Sequence, residues 1–188
     1  SIPFTSLDNY GGQSSIAYIY NTNSEYYLNP DGVYGDTQWS ASDLRREWLR
    51  VAGGRAFLAK FGATAPFLNY IPVIRYPEVL LNYAEALARK GDLALSQALL
   101  KAVHHRSDAS FVFPEAAVAT SGALVNTILK ERRIELLGEG FRSNDLLRNL
   151  QPIPAKGSAS LSAGQVGPQD ENYIFPIANT EIATNKLL

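Results

Sequence analysis

A chain of 188 residues with a formal net charge of −1 is long enough to bury one sizeable core, and its charge balance gives no general attraction to nucleic acid or acidic lipid. Cysteine and methionine are both absent, which excludes disulfides, cysteine nucleophiles and thiolate metal sites, and the missing initiator points to a processed or excised piece. No apolar run reaches the ~18 residues of a membrane-spanning helix, and the opening SIPFTSLDNYGG lacks the charged and apolar regions of a signal peptide.

Residues 1–42 form an aromatic loop region rich in Gly, Asn, Ser, Asp and Tyr. Ile16 to Tyr20 reads as a short strand, Asn29-Pro30-Asp31-Gly32 is a turn, and the remainder is ordered loop. Tyr10, Tyr18, Tyr20, Tyr26, Tyr27, Tyr34 and Trp39 lie here among amide and hydroxyl side chains. Such rings can stack on the C–H face of a sugar while their polar neighbours bond its hydroxyls; the alternative is that they pin the loop to the helices. The candidate ligand residues are Tyr26, Tyr27, Tyr34 and Trp39.

Residues 43–150 are the helical core. DLRREWLR suits a short helix capped by Ser42 or Asp43, followed by a Gly53-Gly54 break and an extended RAFLAKF. Between residues 72 and 105 the pattern is plain: Val79, Leu80, Tyr83, Ala84 and Leu87 line one side of a helix that opens near Pro77 and closes at Gly91. Asp92 caps a second helix carrying Ala94, Leu95, Ala98, Leu99, Ala102 and Val103, and so short a turn forces an antiparallel αα-hairpin. The alanines on the facing stripes let the two axes approach closely. The hairpin is similar to one tetratricopeptide-type repeat, with no second copy at that period.

A third long helix is expected over Ala123–Leu137, closed by Gly138 and Gly140, and a short helix over SNDLLRN. Residues 151–188 are a loop and C-terminal extended tail, with a Pro-, Gly- and Ser-rich stretch, an extended piece from Tyr173 to Ile177 and a short helical end. The fold class is therefore mainly α, a tetratricopeptide-like hairpin plus a third helix with extensive ordered loops and minor β, in a single domain.

Arg75, Glu78, Glu85, Glu131, Arg132, Arg133, Glu135, Arg142 and Asp145 flank these apolar stripes. Charges near a core must be paired, and the arginine fork can satisfy a carboxylate bidentately, so they read as a structural ion-pair network that fixes helix docking. The competing reading, paired carboxylates of a glycoside hydrolase, is poorer, because surrounding arginines hold carboxylates ionised. His104 and His105 are neighbours on a helix and point about 100° apart, which suits a solvated helix end better than a metal site. No phosphate-binding glycine loop or nucleophile elbow is present, so no cofactor or metal is expected.

Three stretches together resemble the C-terminal part of the SusD/RagB family. Its arginine, acid and leucine-rich helix is matched by Arg75, Glu78, Leu80, Leu81, Tyr83, Ala84, Glu85 and Ala86; its ERR-x-EL-x-x-EG-x-R-x-x-DL-x-R motif by Glu131, Arg132, Arg133, Glu135, Leu136, Glu139, Gly140, Arg142, Asp145, Leu146 and Arg148; and its closing pattern by Phe175, Pro176, Ile177, Glu181, Ile182 and Asn185. Ala178 stands where proline is usual, and between His105 and Phe111 only Arg106 remains of a fuller arginine run.

The resemblance implies a non-enzymatic, surface-exposed outer-membrane lipoprotein of Bacteroidetes-type bacteria. Such a protein captures a glycan or other nutrient and delivers it to a SusC-like, TonB-dependent transporter, with helical repeats docking the transporter and loops holding ligand. It also implies a longer parent chain whose lipid anchor lies outside this sequence. The alternative function is a protein-interaction scaffold that uses its helices without binding ligand.

Overall fold

In the computed structural model, which describes residues 15–62, 67, 69–157 and 162–185, the chain divides into two compact units, one up to Phe141 and one from Arg142. The first unit opens with helix α1, Ile16–Thr22, where alternation suggested a strand. Ser15 caps it by accepting the Tyr18 N–H at 3.0 Å. Ile16, Ala17 and Tyr20 then fall on one side and pack with Leu58, Phe61 and Trp48, a helical and not an alternating set. Local capping and packing outweigh the β preference of Ile and Tyr.

A 3-10 turn at Leu44–Trp48, capped by Asp43, leads into the hairpin of β1, Leu49–Ala52, and β2, Arg55–Leu58, joined through Gly53 and Gly54, both at positive φ. Helix α2, Tyr76–Lys90, has Pro77 in its first turn and ends at Gly91, whose φ of 89° is left-handed. Helix α3, Leu93–His104, is capped by Asp92, which accepts the Leu95 N–H at 3.2 Å. Between them Ser96 donates to the Ala84 carbonyl at 2.7 Å, a buried bond that ties the two helices together. A short helix α4, Glu115–Val118, precedes α5, Ser121–Glu135, capped by Thr120. Leu81, Ala84 and Ala88 of α2, Leu100 and Val103 of α3 and Leu124, Val125 and Ile128 of α5 form one core with Phe113. The chain is mainly α, with the hairpin and a third long helix as its frame.

Gly138, just past α5, has φ 78°, and a Cβ there would run into Leu58 and Phe61. Gly91 has φ 89° but opens on empty space. Left-handed strain costs both alanine variants, and only Gly138→Ala adds overpacking, so it should lose about 2 kcal/mol more than Gly91→Ala in urea unfolding. Equal losses would show that the Gly138 contact relaxes freely.

The second unit contains α6, Phe141–Arg148, which begins at the unit boundary, the two-residue strands β3, Lys156–Gly157, and β4, Ser162–Ala163, and α7, Asn179–Thr184. Tyr173 fastens it by donating to the Gln151 carbonyl at 2.8 Å, and Ile153 and Val166 bridge in antiparallel fashion. Among the described residues no helix is long and apolar enough to cross a membrane.

Candidate functional site

Successive turns of α5 carry Glu131 and Glu135 one above the other at its C-terminal end, and Glu139 follows in the turn past the helix. Arg45 enters from the 3-10 turn, with its side chain only 2% exposed. It donates to Glu131 at 2.5 Å, to Glu135 at 3.1 Å and bidentately to Asp43, with its Nη2 2.6 Å from Oδ2. Arg75, the N-cap residue of α2, donates to Glu135 at 2.7 Å and to Glu139, and also to the Glu135 carbonyl at 2.8 Å. Lys60 reaches the same carbonyl at 2.8 Å and pairs with Glu139, while Arg106 donates to Glu135 at 2.7 Å. Cations thus meet both the carboxylates and a terminal carbonyl of α5.

Burial alone would raise the Glu131 carboxyl, but the His104 hydrogen bond and Arg45 hold it below its ordinary value. Glu135 is likewise held down against burial by Arg75 and Arg106. Burial disfavours a charged Arg45, and its bonds to Asp43 and Glu131 more than reverse that. All these groups stay ionised, which suits a lock and not a general acid.

The expected ion-pair residues therefore divide. Arg75, Glu131 and Glu135 meet in the lock. Glu85 pairs instead with Arg89 at 2.7 Å, Arg132 donates to Asn82, and Asp145 pairs with Arg148 at 2.7 Å in the second unit. Arg133 is partly buried, which disfavours its charge, and Asp36 partly offsets this; Glu78 makes no ion pair among the described residues, and Arg142 lies in the second unit. Asp43, Arg45, Lys60 and Arg106 join from outside the motif. His104 corrects the solvated-end expectation: it is fully buried between Phe111 and Phe113, and its Nδ1 lies 2.7 Å from Glu131. A carboxylate only accepts, so Nδ1 carries the proton.

A second feature lies at the β1–β2 hairpin. Arg50 stands opposite Phe57 and Ala52 opposite Arg55, and the period of two puts all four on one face. With Gly53 and the α1 end, Asn21, Thr22, Asn23 and Ser24, they line an open cleft of about 460 Å³. The Arg50 guanidinium lies 4.6 Å from the Phe57 ring centre, and that of Arg55 lies 4.6 Å from Tyr27. Tyr27 meets Phe57 edge-on, with ring centres 6.4 Å apart. The result is a ladder of two cations and two rings beside a row of amides and hydroxyls.

The candidate aromatics separate into two places. Tyr27 belongs to this ladder and Tyr26 beside it is 54% exposed. Tyr34 and Trp39 instead share Arg46, whose guanidinium lies 5.1 and 4.5 Å from their ring centres. Trp39 is 1% exposed and packs with Val33 and Ile134, so it offers no face to a ligand and serves the core. Tyr18 and Tyr20 pin α1 through Phe67 and Phe61, and Tyr10 lies outside the described residues. Arg50 and Arg55 lie outside the residues that the aromatic and charge patterns single out; their signal in the sequence is the period of two across a Gly-Gly turn.

A tetratricopeptide-like hairpin docked on a third helix through a buried acid and arginine lock defines a helical scaffold. The family model described as the SusD family matches residues 67–188, and the chain belongs to that family. Among solved structures it is similar to a SusD superfamily protein from Bacteroides fragilis, with 30% identity and a TM-score of 0.75 over 90% of this chain and 39% of that one. A SusD superfamily protein from Bacteroides vulgatus shares 27% identity at a TM-score of 0.75, over 94% of this chain and 41% of the other. One from Bacteroides thetaiotaomicron shares 28% at 0.72, over 97% and 45%. The chain thus spans less than half the length of these structures. Comparison with curated protein sequences gives no match.

Proposed function

We propose that this chain takes part in the non-catalytic capture of a glycan or related nutrient at the bacterial outer-membrane surface, for delivery to a TonB-dependent, SusC-like transporter, in a parent protein held there by a lipid anchor. Family membership supports the theme, and the observation that carries it to this chain is the cleft at the β1–β2 hairpin. Its volume of about 460 Å³ suits a small ligand, and its amide, hydroxyl and guanidinium groups can bond the hydroxyls of a sugar. The buried Glu131 and Glu135, clamped by arginines, favour binding over hydrolysis.

The test is calorimetry of the chain against a panel of oligosaccharides. Saturable binding is expected, and Tyr27→Ala, which removes the ring under Arg55, should weaken it about tenfold with the circular dichroism spectrum unchanged. A folded chain that binds no glycan would overturn the assignment of ligand to this cleft, and unchanged binding without Tyr27 would overturn its role in holding Arg55 for the ligand. A second reading, a protein-binding scaffold, rests on Tyr76, Val79 and Tyr83, which leave an exposed apolar stripe along α2. It gains if the folded chain binds no glycan.

A further inference from the structure

The cleft carries a charge that the chain as a whole does not. Arg50 and Arg55 both line it, and no carboxylate is among its lining residues, although the chain's net charge is −1. Glu25, next along the chain from the lining Ser24, is not one of them. Each guanidinium lies over an aromatic ring, Arg50 over Phe57 and Arg55 over Tyr27, which holds the cation in place without neutralising it. Among the described residues neither arginine makes an ion pair; Arg50 makes a 3.4 Å bond to the Asn21 carbonyl. A guanidinium presents a planar fork of donors that fits carboxylate or sulfate oxygens, whereas a neutral hydroxyl gains much less from it. Of the remaining lining groups, the Asn23 Nδ2 amide and the Thr22 and Ser24 hydroxyls suit sugar hydroxyls, whereas the Asn21 amide is spent on the Ala17 and Gly62 carbonyls.

We infer that the cleft selects acidic glycans, saccharides carrying uronate carboxylates or sulfate esters, with Arg50 and Arg55 as the groups that read the charge. This rests on the glycan-capture reading and narrows it.

The experiment compares matched ligands on the full chain by calorimetry. A galacturonic acid trisaccharide is set against its methyl ester, and a galactose-6-sulfate disaccharide against the unsulfated parent. At least one acidic member is expected to bind about tenfold tighter than its neutral partner, and which pair shows the preference tells carboxylate from sulfate. That preference should shrink as salt rises from 50 to 500 mM, because both cations are reached by solvent. In Arg55→Gln the ratio of acidic to neutral affinity should fall toward one. Equal affinity within both pairs would overturn the acidic preference and leave glycan capture standing. No binding of any member by a folded chain would overturn both. An acid preference that survives Arg50→Gln and Arg55→Gln together would remove it from this cleft.

Discussion

Replacing Arg45 by methionine is expected to cost the fold about 3–5 kcal/mol, the loss typical of breaking a buried ion pair from one side. Methionine has a suitable length and fills the space, so the loss measures charge and not a cavity. Glu131 and Glu135 would then stay buried with one donor fewer each and Asp43 with two fewer, and the side chains of all three are fully buried. Urea unfolding at neutral pH gives the size of the effect, and its pH dependence gives the cause. In the wild type, Glu131 and Glu135 lie below their ordinary value of 4.5, so their stabilisation is present above that value and fades as pH falls through the folded values. In the variant, desolvation acts on carboxyls that have lost a cation, which favours protonation. The gap between the two proteins should therefore narrow in acid. A loss below about 1 kcal/mol, or a gap that ignores pH, would mean that Arg75, Arg106 and His104 hold the carboxylates without Arg45.

How much of this lock the sequence discloses depends on distance along the chain. The pair Glu131 and Glu135 is visible because helical spacing is local, and Arg75 announces itself at the head of a patterned helix, whereas Glu139 joins from the turn past the helix end. Arg45 is 86 residues from Glu131, and nothing in DLRREW sets it apart from the partly exposed Arg46 beside it. The same rule separates the helices from the loops. Gly91, Asp92 and the alanines of α2 write the hairpin in short-range terms, whereas α1 is helical because Ser15 caps it and Leu58 and Phe61 receive it. Trp39 shows the limit most sharply. A tryptophan among polar residues suits either a sugar platform or a core plug, and only the approach of Val33, Ile134 and Arg46 decides for the plug. The cleft was hidden for a related reason, since its two walls come from α1 and a β-hairpin that no shared motif connects.

Leu81→Ala should lose about 3 kcal/mol, within the roughly 2–5 kcal/mol range of buried leucine truncations. Leu81 is fully buried where α2 meets α3 and α5, among Ala84, Ala88, Leu100 and Leu124. These neighbours are held by helix backbones and by the Ser96 bond to Ala84, so they cannot readily collapse into the space left behind. For a chain of this size the loss corresponds to a fall in Tm of roughly 6–12 °C. Val79→Ala, two residues away on the same helix, is the matched control: Val79 is 47% exposed and its truncation should stay within about 0.5 kcal/mol. The pair separates two physical descriptions of the hairpin. Apolar spacing alone places Val79 and Leu80 on the inner stripe beside Ala84, whereas the packed helix turns Leu81, Ala84 and Ala88 inward and leaves Val79 outside. Similar losses at both positions would return the first description. Small losses at both would mean that the charge lock, and not apolar packing, holds α2 against α5.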